Sequence, residues 1–269
     1  MIAGSAEQLE PAQKGAPVAV ANLLLSVVIP AYNEEKRLGA TLIRMLEYFD
    51  TKPYGFEILV IDDGSTDGTA RVVDAVAETR PEVRLLQYDR NRGKGYAVRF
   101  GMLRATGDRV LFSDADLATP IEEVEKLLAS LDASNDVAIG SRDIRGSELL
   151  QRESFLREFG GRAFNKLVQF LAVQGIHDTQ CGFKLFTQGA AQKIFSRCQV
   201  DDFAFDVEVL YVATRILGLR VAEVPIRWAH QAGSKISPLR DGIRMVRTVF
   251  KIRISRYATA ASPAGSTGR

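Results

Sequence analysis

Five short apolar runs alternate along the chain with segments of helical periodicity, and this alternation restricts the fold more than any other feature. The runs occupy residues 23–29, 57–61, 83–88, 109–113 and 136–140. Amphipathic segments of about 10 to 15 residues follow each of the first four runs. Continuous apolar strands separated by helices are typical of parallel sheets covered on both faces. The sequence therefore predicts a doubly wound α/β fold with a mostly parallel central sheet.

The composition excludes several classes of protein. The chain has 269 residues, of which 46% are hydrophobic and 25% charged, so neither disorder nor collagen describes it as a whole. Its 35 Lys and Arg residues nearly balance 33 Asp and Glu, so we expect no nucleic-acid partner. The sequence has no long apolar run and no basic leader before an apolar stretch. We therefore expect neither a membrane-spanning helix nor a signal peptide, and cytosolic residence.

The few cysteine and histidine residues limit the kind of metal site. Cys181, Cys198, His177 and His230 are the only ones, and they lack the paired spacing of zinc ligands. A metal site in this chain would therefore consist of carboxylates, which favour Mg²⁺ or Mn²⁺ over softer metals.

Acidic clusters follow two of the predicted strands. The run 57–61 leads into Asp62 and Asp63, and the run 109–113 leads into Asp114-Ala115-Asp116. Ligands of such sheets bind at the carboxyl ends of the strands, and residues two apart in an extended segment share a face. Four neighbouring carboxylates repel one another unless a cation lies between them. Because such a cation usually shares its coordination with phosphates, a nucleoside diphosphate is the natural ligand.

An alternative is that these aspartates only form turns and helix caps, which suits Asp67 as well as a ligand role does. After the second cluster, the segment 119–122 predicts Thr119 as N-cap, Pro120 at the first helical position and Glu122 as a capping-box residue. The chain lacks a P-loop in residues 91–96 and a dinucleotide-binding glycine motif after the first strand. These absences disfavour kinases, P-loop ATPases and dehydrogenases.

Eight motifs, in this order and spacing, resemble those of the family-2 glycosyltransferases and extend over most of the chain. They are VVIPAYNEE (27–35), VIDDGSTDGT (60–69), NRGKGYAVRFG (91–101), SDADLATP (113–120), GSR (140–142), DTQCGFK (178–184), FAFDVEVL (203–210) and EVPIRW (223–228). They are most similar to the polyprenyl-phosphate sugar synthases. SDADLATP resembles the dolichyl-phosphate glucose branch rather than the mannose branch. The resemblance implies the nucleotide-sugar-binding, A-type glycosyltransferase fold.

The resemblance also implies roles for individual residues. The nucleotide-sugar site would comprise Pro30, Tyr32, Glu34, Asp62, Asp63, Lys94, Asp114, Ala115, Gln180 and Lys235. Asp114 and Asp116 would bind Mg²⁺ or Mn²⁺ and, through it, the diphosphate. The acceptor phosphate would meet Arg142, Arg157 and Ser234, and Ser234 and Lys235 would belong to a mobile loop. Asp116, Asp178 and Arg142 would be the catalytic residues.

The implied reaction is a single displacement that inverts the anomeric centre of a hexose. The favoured donor is UDP-glucose and the favoured acceptor a polyprenyl or dolichyl phosphate. Asp178 would orient the sugar or the acceptor, or act as a base if the acceptor arrives protonated. GDP-mannose as donor and a soluble or polysaccharide acceptor remain alternatives. A nucleotidyltransferase would need a glycine-rich loop after the first strand, and this chain has none there. A non-catalytic nucleotide-sugar sensor would not need the acidic motifs, which are intact.

The predicted organisation is a disordered leader (1–22), a catalytic domain (23–234), a basic amphipathic helix (235–257) and a disordered tail (258–269). On that helix one stripe is basic and another is apolar, comprising Arg240, Arg244, Arg247 and Lys251, and Leu239, Ile243, Val246, Phe250 and Ile254. Such a helix favours peripheral binding at the cytosolic face of a membrane. The alternative is that the apolar stripe packs on the core. Related enzymes often carry a membrane helix, so a membrane-protein partner stays open.

Overall fold

Seven strands form one central sheet in the computed structural model, which describes residues 23–151, 173, 175–229, 247–255 and 257. The strands are β1 (Leu23–Ala31), β2 (Gly55–Asp62), β3 (Val83–Gln87), β4 (Arg109–Ser113), β5 (Val137–Ser141), β7 (Phe183–Thr187) and β8 (Val221–Pro225). Their order is β3-β2-β1-β4-β7-β5-β8. Strand β7 runs antiparallel to β4 and β5, and the other neighbours are parallel. The predicted mostly parallel sheet is confirmed.

Helices cover both faces of this sheet. They are α1 (Leu38–Phe49), α2 (Thr69–Ala77), α3 (Lys94–Met102), α4 (Val124–Asp132), α5 (Gln188–Phe195), α6 (Phe205–Tyr211) and α7 (247–254). Two further short strands, β6 (Glu148–Gln151) and β9 (Arg227–Ala229), pair with each other in parallel.

The two cores explain why the strands carry apolar residues at successive positions. Successive residues of a strand point to opposite faces, so Val28 belongs to one core cluster whereas Val27 and Ile29 belong to the other. Helices α1, α2 and α4 pack on the Val27 face, and α3, α5 and α6 pack on the Val28 face. The predicted doubly wound arrangement is therefore confirmed.

The start of α4 differs from the prediction. Pro120 has an extended backbone with ψ of 139°, so it precedes a 3₁₀ turn (Ile121–Glu123) and does not occupy the first helical position. The described contacts include no capping hydrogen bond from a side chain at either helical start. The Glu122 carboxylate pairs with Arg44 on α1 instead. The predicted Thr119 cap and Glu122 capping box are thus wrong, because the extended segment through Pro120 places both residues outside the capping geometry.

Helix α7 presents two apolar faces. Val249 and Ile252 are buried in the core, whereas Phe250 and Ile254 are 52% and 79% exposed. The alternative that the predicted apolar stripe packs on the core is therefore wrong for its two described members. The remaining members of both stripes, apart from Arg247 and Lys251, lie outside the described residues. Within the described ranges no helix is long and apolar enough to span a bilayer.

Candidate active site

The acidic motifs meet at the carboxyl edge of the sheet. Strands β1, β2 and β4 are adjacent and parallel, so the loops that follow them leave the sheet at the same edge. Pro30 lies at the end of β1, where it is paired in register with Ile61. Tyr32 follows it and is 37% exposed. Both residues therefore lie at the carboxyl edge, where the predicted nucleotide site would be.

The loop that carries Asp114 and Asp116 is fixed by hydrogen bonds from distant parts of the chain. Thr41 on α1 donates its hydroxyl to the Ala115 carbonyl at 2.7 Å. The Ala229 backbone donates to the Ala118 carbonyl at 2.8 Å. Because both partners belong to packed elements, the two aspartates are held in place before any ligand arrives.

Backbone conformation contributes to the same loop. Leu117 adopts a positive φ of 48°, which is unfavourable for a bulky side chain and is typically retained at functional sites. The Asp114 N–H donates to the Gly182 carbonyl at 3.0 Å. A Cβ atom on Gly182 would lie only 1.9 Å from Asp114 Oδ2. A glycine at 182 is therefore required for Asp114 to keep its orientation.

Each aspartate of the loop faces a cation. Lys94, at the start of α3, places its Nζ 2.6 Å from Asp114 Oδ1. Arg37 Nη1 lies 3.9 Å from Asp116 Oδ2, and the same guanidinium pairs with Glu34. Burial and the neighbouring Asp114 charge raise the pKa of Asp116. The two carboxylates thus lie close together in a partly buried loop, and Lys94 is the cation in direct contact with Asp114.

A divalent cation fits the donor set at this position. Asp114 and Asp116 are one-third and just over one-quarter exposed, so their oxygens are accessible. Mg²⁺ and Mn²⁺ are commonly held by one or two carboxylates, and phosphates complete the coordination. Within the described residues no group of three or more His, Cys, Asp or Glu side chains could hold a metal by itself.

Asp62 and Asp63 have different surroundings from Asp114 and Asp116. Both are buried, and Asp62 Oδ1 accepts from the Ser65 N–H at 2.9 Å. Asp63 accepts from the N–H groups of Arg92 and Gly93 at 2.7 and 3.0 Å. Burial raises the pKa of Asp63 although these donors oppose the rise. In this structure Asp63 therefore shapes the loop that leads to Lys94.

The first loop is tied to the second through Asn33, which the sequence analysis did not single out. Its φ is 54°, its N–H donates to Ser65 Oγ at 2.9 Å, and its Oδ1 accepts from the Thr66 N–H at 2.8 Å. Glu34 donates its N–H to Thr69 Oγ1 at 2.8 Å. The PAYNEE motif thus builds the wall of the site as much as it supplies ligands. The sequence contained a hint of this role, because asparagine tolerates a positive φ and Asn33 closely follows the first strand.

A second positively charged group of the site, the Arg142 guanidinium, lies at the end of β5. Arg142 donates to the Asp178 carboxylate from its backbone N, Nε and Nη2, at 3.0, 2.7 and 2.9 Å. Its guanidinium also lies 5.2 Å from the Trp228 ring centroid. Asp178 is fully buried whereas the Arg142 side chain is 26% exposed. The pair therefore presents a rigid guanidinium to the site and keeps its carboxylate inside.

This geometry defines what Asp178 can do. Burial alone would raise the pKa of Asp178, but the charge and hydrogen bonds of Arg142 hold that pKa below its ordinary value. The Gln180 N–H donates to Asp178 Oδ1 at 3.3 Å, so both oxygens accept hydrogen bonds. The arrangement favours orientation of Arg142 over a role as base. Gln180 itself is partly buried beside this pair.

One buried ion pair near Lys94 was not predicted. Lys184 on β7 pairs with Asp206 on α6, and both are buried. The motifs DTQCGFK and FAFDVEVL contain these residues, and a charged residue inside an apolar run was the available signal. Three predicted site residues, Arg157, Ser234 and Lys235, lie outside the described residues.

The family of the chain follows from comparison with known proteins. The model of the family "Glycosyl transferase family 2" matches residues 26–195. A dolichyl-phosphate beta-glucosyltransferase of Dictyostelium discoideum is 41% identical over 249 residues, which cover 88% of this chain and 75% of that protein. The human protein of the same name is 40% identical over 250 residues, covering 88% and 76%.

Solved structures support the fold. Glucosyl-3-phosphoglycerate synthase from Mycobacterium tuberculosis, in complex with Mn²⁺, UDP and glucosyl-3-phosphoglycerate, superposes with a TM-score of 0.60 at 20% identity. The match covers 86% of this chain and 78% of that one. The fold, the family match and the identity to curated relatives agree, and the chain belongs to glycosyl transferase family 2.

Proposed function

We propose that this protein transfers glucose from UDP-glucose to dolichyl phosphate or another polyprenyl phosphate, with inversion at the anomeric carbon. The observation that carries the proposal is the identity of about 40% to dolichyl-phosphate beta-glucosyltransferases over 88% of this chain. The accessible Asp114 and Asp116 carboxylates beside Lys94 are consistent with binding of a nucleoside diphosphate.

The donor would be held at the carboxyl edge of β1, β2 and β4. Pro30 and Tyr32 would line the base and ribose, while the Asp62 and Asp63 loops shape that wall. Asp114 and Asp116 would hold Mg²⁺ or Mn²⁺, and the Mn²⁺ and UDP bound to the mycobacterial synthase of similar fold support a divalent cation as cofactor. Such a cation stabilises the negative charge that develops on the leaving diphosphate.

The acceptor phosphate would bind to Arg142. A guanidinium forms paired hydrogen bonds with phosphate oxygens, and Asp178 holds this one in a single orientation. A lipid phosphate is already anionic near neutral pH, so its oxygen attacks the anomeric carbon without a strong base. The bond from that carbon to the diphosphate breaks in the same step, and an α-linked donor yields a β-linked product.

Helix α7 would contact the membrane surface. Phe250 and Ile254 are exposed on the same helix as Arg247 and Lys251. Apolar side chains that insert beside cations are typical of helices that bind in the plane of a bilayer, and each cation near an anionic leaflet contributes about 1 kcal/mol. We propose peripheral binding at the cytosolic face, with a membrane-protein anchor as an additional partner.

Transfer of radiolabelled sugar tests this function. The full chain is incubated with Mg²⁺, a polyprenyl phosphate and, in parallel, UDP-glucose, GDP-mannose or UDP-galactose. We expect label in the lipid phase from UDP-glucose alone, and loss of that label with a chelator or with Asp116→Asn. Asp132→Asn is the matched control, because Asp132 is 72% exposed and pairs with Arg109 at the start of β4.

The other outcomes point to defined alternatives. Lipid label from GDP-mannose would reassign the sugar, and donor hydrolysis without lipid label would indicate a soluble or polysaccharide acceptor. Nucleotide binding without turnover of any donor would contradict an enzymatic function.

A further inference from the structure

Lys184 and Asp206 form an ion pair that the proposed chemistry does not use. Lys184 lies in β7 and is 1% exposed, and Asp206 lies near the start of α6. Lys184 Nζ also donates to the Cys181 carbonyl at 2.5 Å. Two contacts thus fix the lysine, and through it the position of the Asp206 carboxylate.

This pair lies beside the acidic loop. The Nζ atoms of Lys94 and Lys184 lie 5.5 and 5.7 Å from the centroid of the same Phe112 ring. Burial alone would lower the pKa of Lys94, but the negative charges of Asp114 and Asp206 outweigh it and raise that pKa. Lys94 is therefore in contact with Asp114, and the ion pair of Lys184 and Asp206 lies near the same aromatic ring.

Lys94 occupies the electrostatic role that a metal ion would take at Asp114. Its ammonium is 2.6 Å from Asp114 Oδ1, which is close enough to compensate much of the carboxylate charge. Two cations on one carboxylate repel each other. A divalent cation at Asp114 and Asp116 must therefore displace the ammonium, and Asp206 is a neighbouring carboxylate that can receive it.

We propose that Lys94 competes with the divalent cation for Asp114, and that Asp206, anchored by Lys184, is a positioning residue that draws Lys94 aside when the cation binds. The inference rests on the metal requirement of the proposed function. It involves no covalent step, and it assigns a role to two motif residues beyond stabilising the fold.

Two simpler explanations make different predictions. The pair Lys184–Asp206 could serve only to join β7 to α6, in which case its removal would change stability and not metal affinity. Asp206 could instead attract the metal through its own charge, in which case its effect would not depend on Lys94. A double-mutant comparison separates these explanations from the proposal.

The experiment measures Mn²⁺ binding to the full chain without nucleotide, by the electron paramagnetic resonance signal of free Mn²⁺. We expect Lys94→Met to bind Mn²⁺ roughly five- to tenfold more tightly, because the competing cation is gone. The double variant Lys184→Met/Asp206→Asn should bind it roughly threefold more weakly. Removing both members of the pair avoids an unpaired buried charge, so the variant should fold. In the Lys94→Met background the double variant should have no further effect.

A second buried pair provides a matched control. Glu57 and Arg84 are 3.3 Å apart and each 8% exposed, at the amino ends of β2 and β3. Glu57→Gln/Arg84→Met should leave Mn²⁺ affinity unchanged.

If the unmodified chain binds Mn²⁺, two results would overturn the inference. One is unchanged or weaker Mn²⁺ binding by Lys94→Met. The other is an equal effect of the double variant with and without Lys94. Binding of Mn²⁺ together with UDP to the unmodified chain tests the proposed function separately. If that binding occurs and Lys94→Met does not strengthen Mn²⁺ binding, only this inference fails. If no Mn²⁺ binds under any condition, the metal requirement fails and the inference with it.

Discussion

Replacing Asp178 with asparagine tests how the site presents Arg142. The carboxylate accepts hydrogen bonds from three nitrogen atoms of Arg142, at 3.0, 2.7 and 2.9 Å. Asparagine has nearly the same size but presents two donors, so at least one of these contacts becomes repulsive. Removing one partner of a buried pair costs about 3–5 kcal/mol, and water reaches the 26% exposed Arg142 side chain. We therefore expect the free energy of unfolding to fall by about 2–3 kcal/mol.

The substitution should change the kinetic constants for the acceptor and leave those for the donor nearly unchanged. With Arg142 free to change rotamer, we expect kcat/KM for the polyprenyl phosphate to fall by roughly ten- to a hundredfold, while the KM for the nucleotide sugar changes little. Initial rates against acceptor concentration, at several pH values, measure both quantities. An altered pH profile at saturating acceptor would instead indicate that Asp178 acts as a base, and an unchanged acceptor kcat/KM would refute the positioning argument.

The same variant has a pH signature in its stability. Because Arg142 lowers the pKa of Asp178 in the folded state, this carboxylate stabilises the protein above its unfolded pKa. That contribution is lost as the pH falls through the lower folded pKa. Urea unfolding should thus show a difference between wild type and Asp178→Asn that is large at neutral pH and shrinks below about pH 4. Glu57→Gln, a buried carboxylate at the opposite sheet edge, should lower stability without altering acceptor kinetics.

Two further variants test the acidic loop and α7. Gly182→Ala places a Cβ 1.9 Å from a carboxylate oxygen of the acidic loop, so we expect Mn²⁺-dependent UDP affinity, measured by calorimetry, to fall at least roughly tenfold. Gly189→Ala, which has open space around the added atom, should have no effect, and equal loss in both variants would contradict this. Phe250→Ser/Ile254→Ser should reduce sedimentation with anionic vesicles by roughly tenfold, because each residue inserts apolar surface. Ile43→Ser, also at an exposed apolar position, is the control; equal binding by all forms would exclude α7 as the contact.

The parts of the fold that follow from local patterns could be predicted from the sequence. Strands β1 to β5 are short apolar runs, and their length together with the helical segments between them is sufficient to identify them. The acidic loops were located correctly because they directly follow strands. The start of α1 at Leu38 depends on the turn before it, which the Glu34 carbonyl closes by accepting from the N–H groups of Arg37 and Leu38.

Features that depend on distant contacts could not be predicted. Strand β7 lies between β4 and β5 and runs against both, and Lys184, its second residue, makes the segment resemble a surface strand. The ion pair with Asp206, 22 residues away, neutralises the charge of that lysine where it is buried. The packing of α7 is a similar case. A helical wheel shows that Phe250 and Val249 lie on different faces of the helix. Which face is buried depends on how the helix packs against the core, which the local sequence does not contain.

Exposure, which the sequence does not reveal, divides the aspartates of the site into two kinds. Asp114 and Asp116 have accessible oxygens, whereas Asp63, Asp178 and Asp206 are buried. The buried ones accept hydrogen bonds from a loop backbone, from an arginine and from a lysine. Carboxylates with this bonding are better suited to hold cations and loops in position than to receive a ligand. The expected consequence is that loss of charge at either exposed aspartate removes metal binding, whereas loss at a buried one alters the position of the arginine, lysine or loop that it holds.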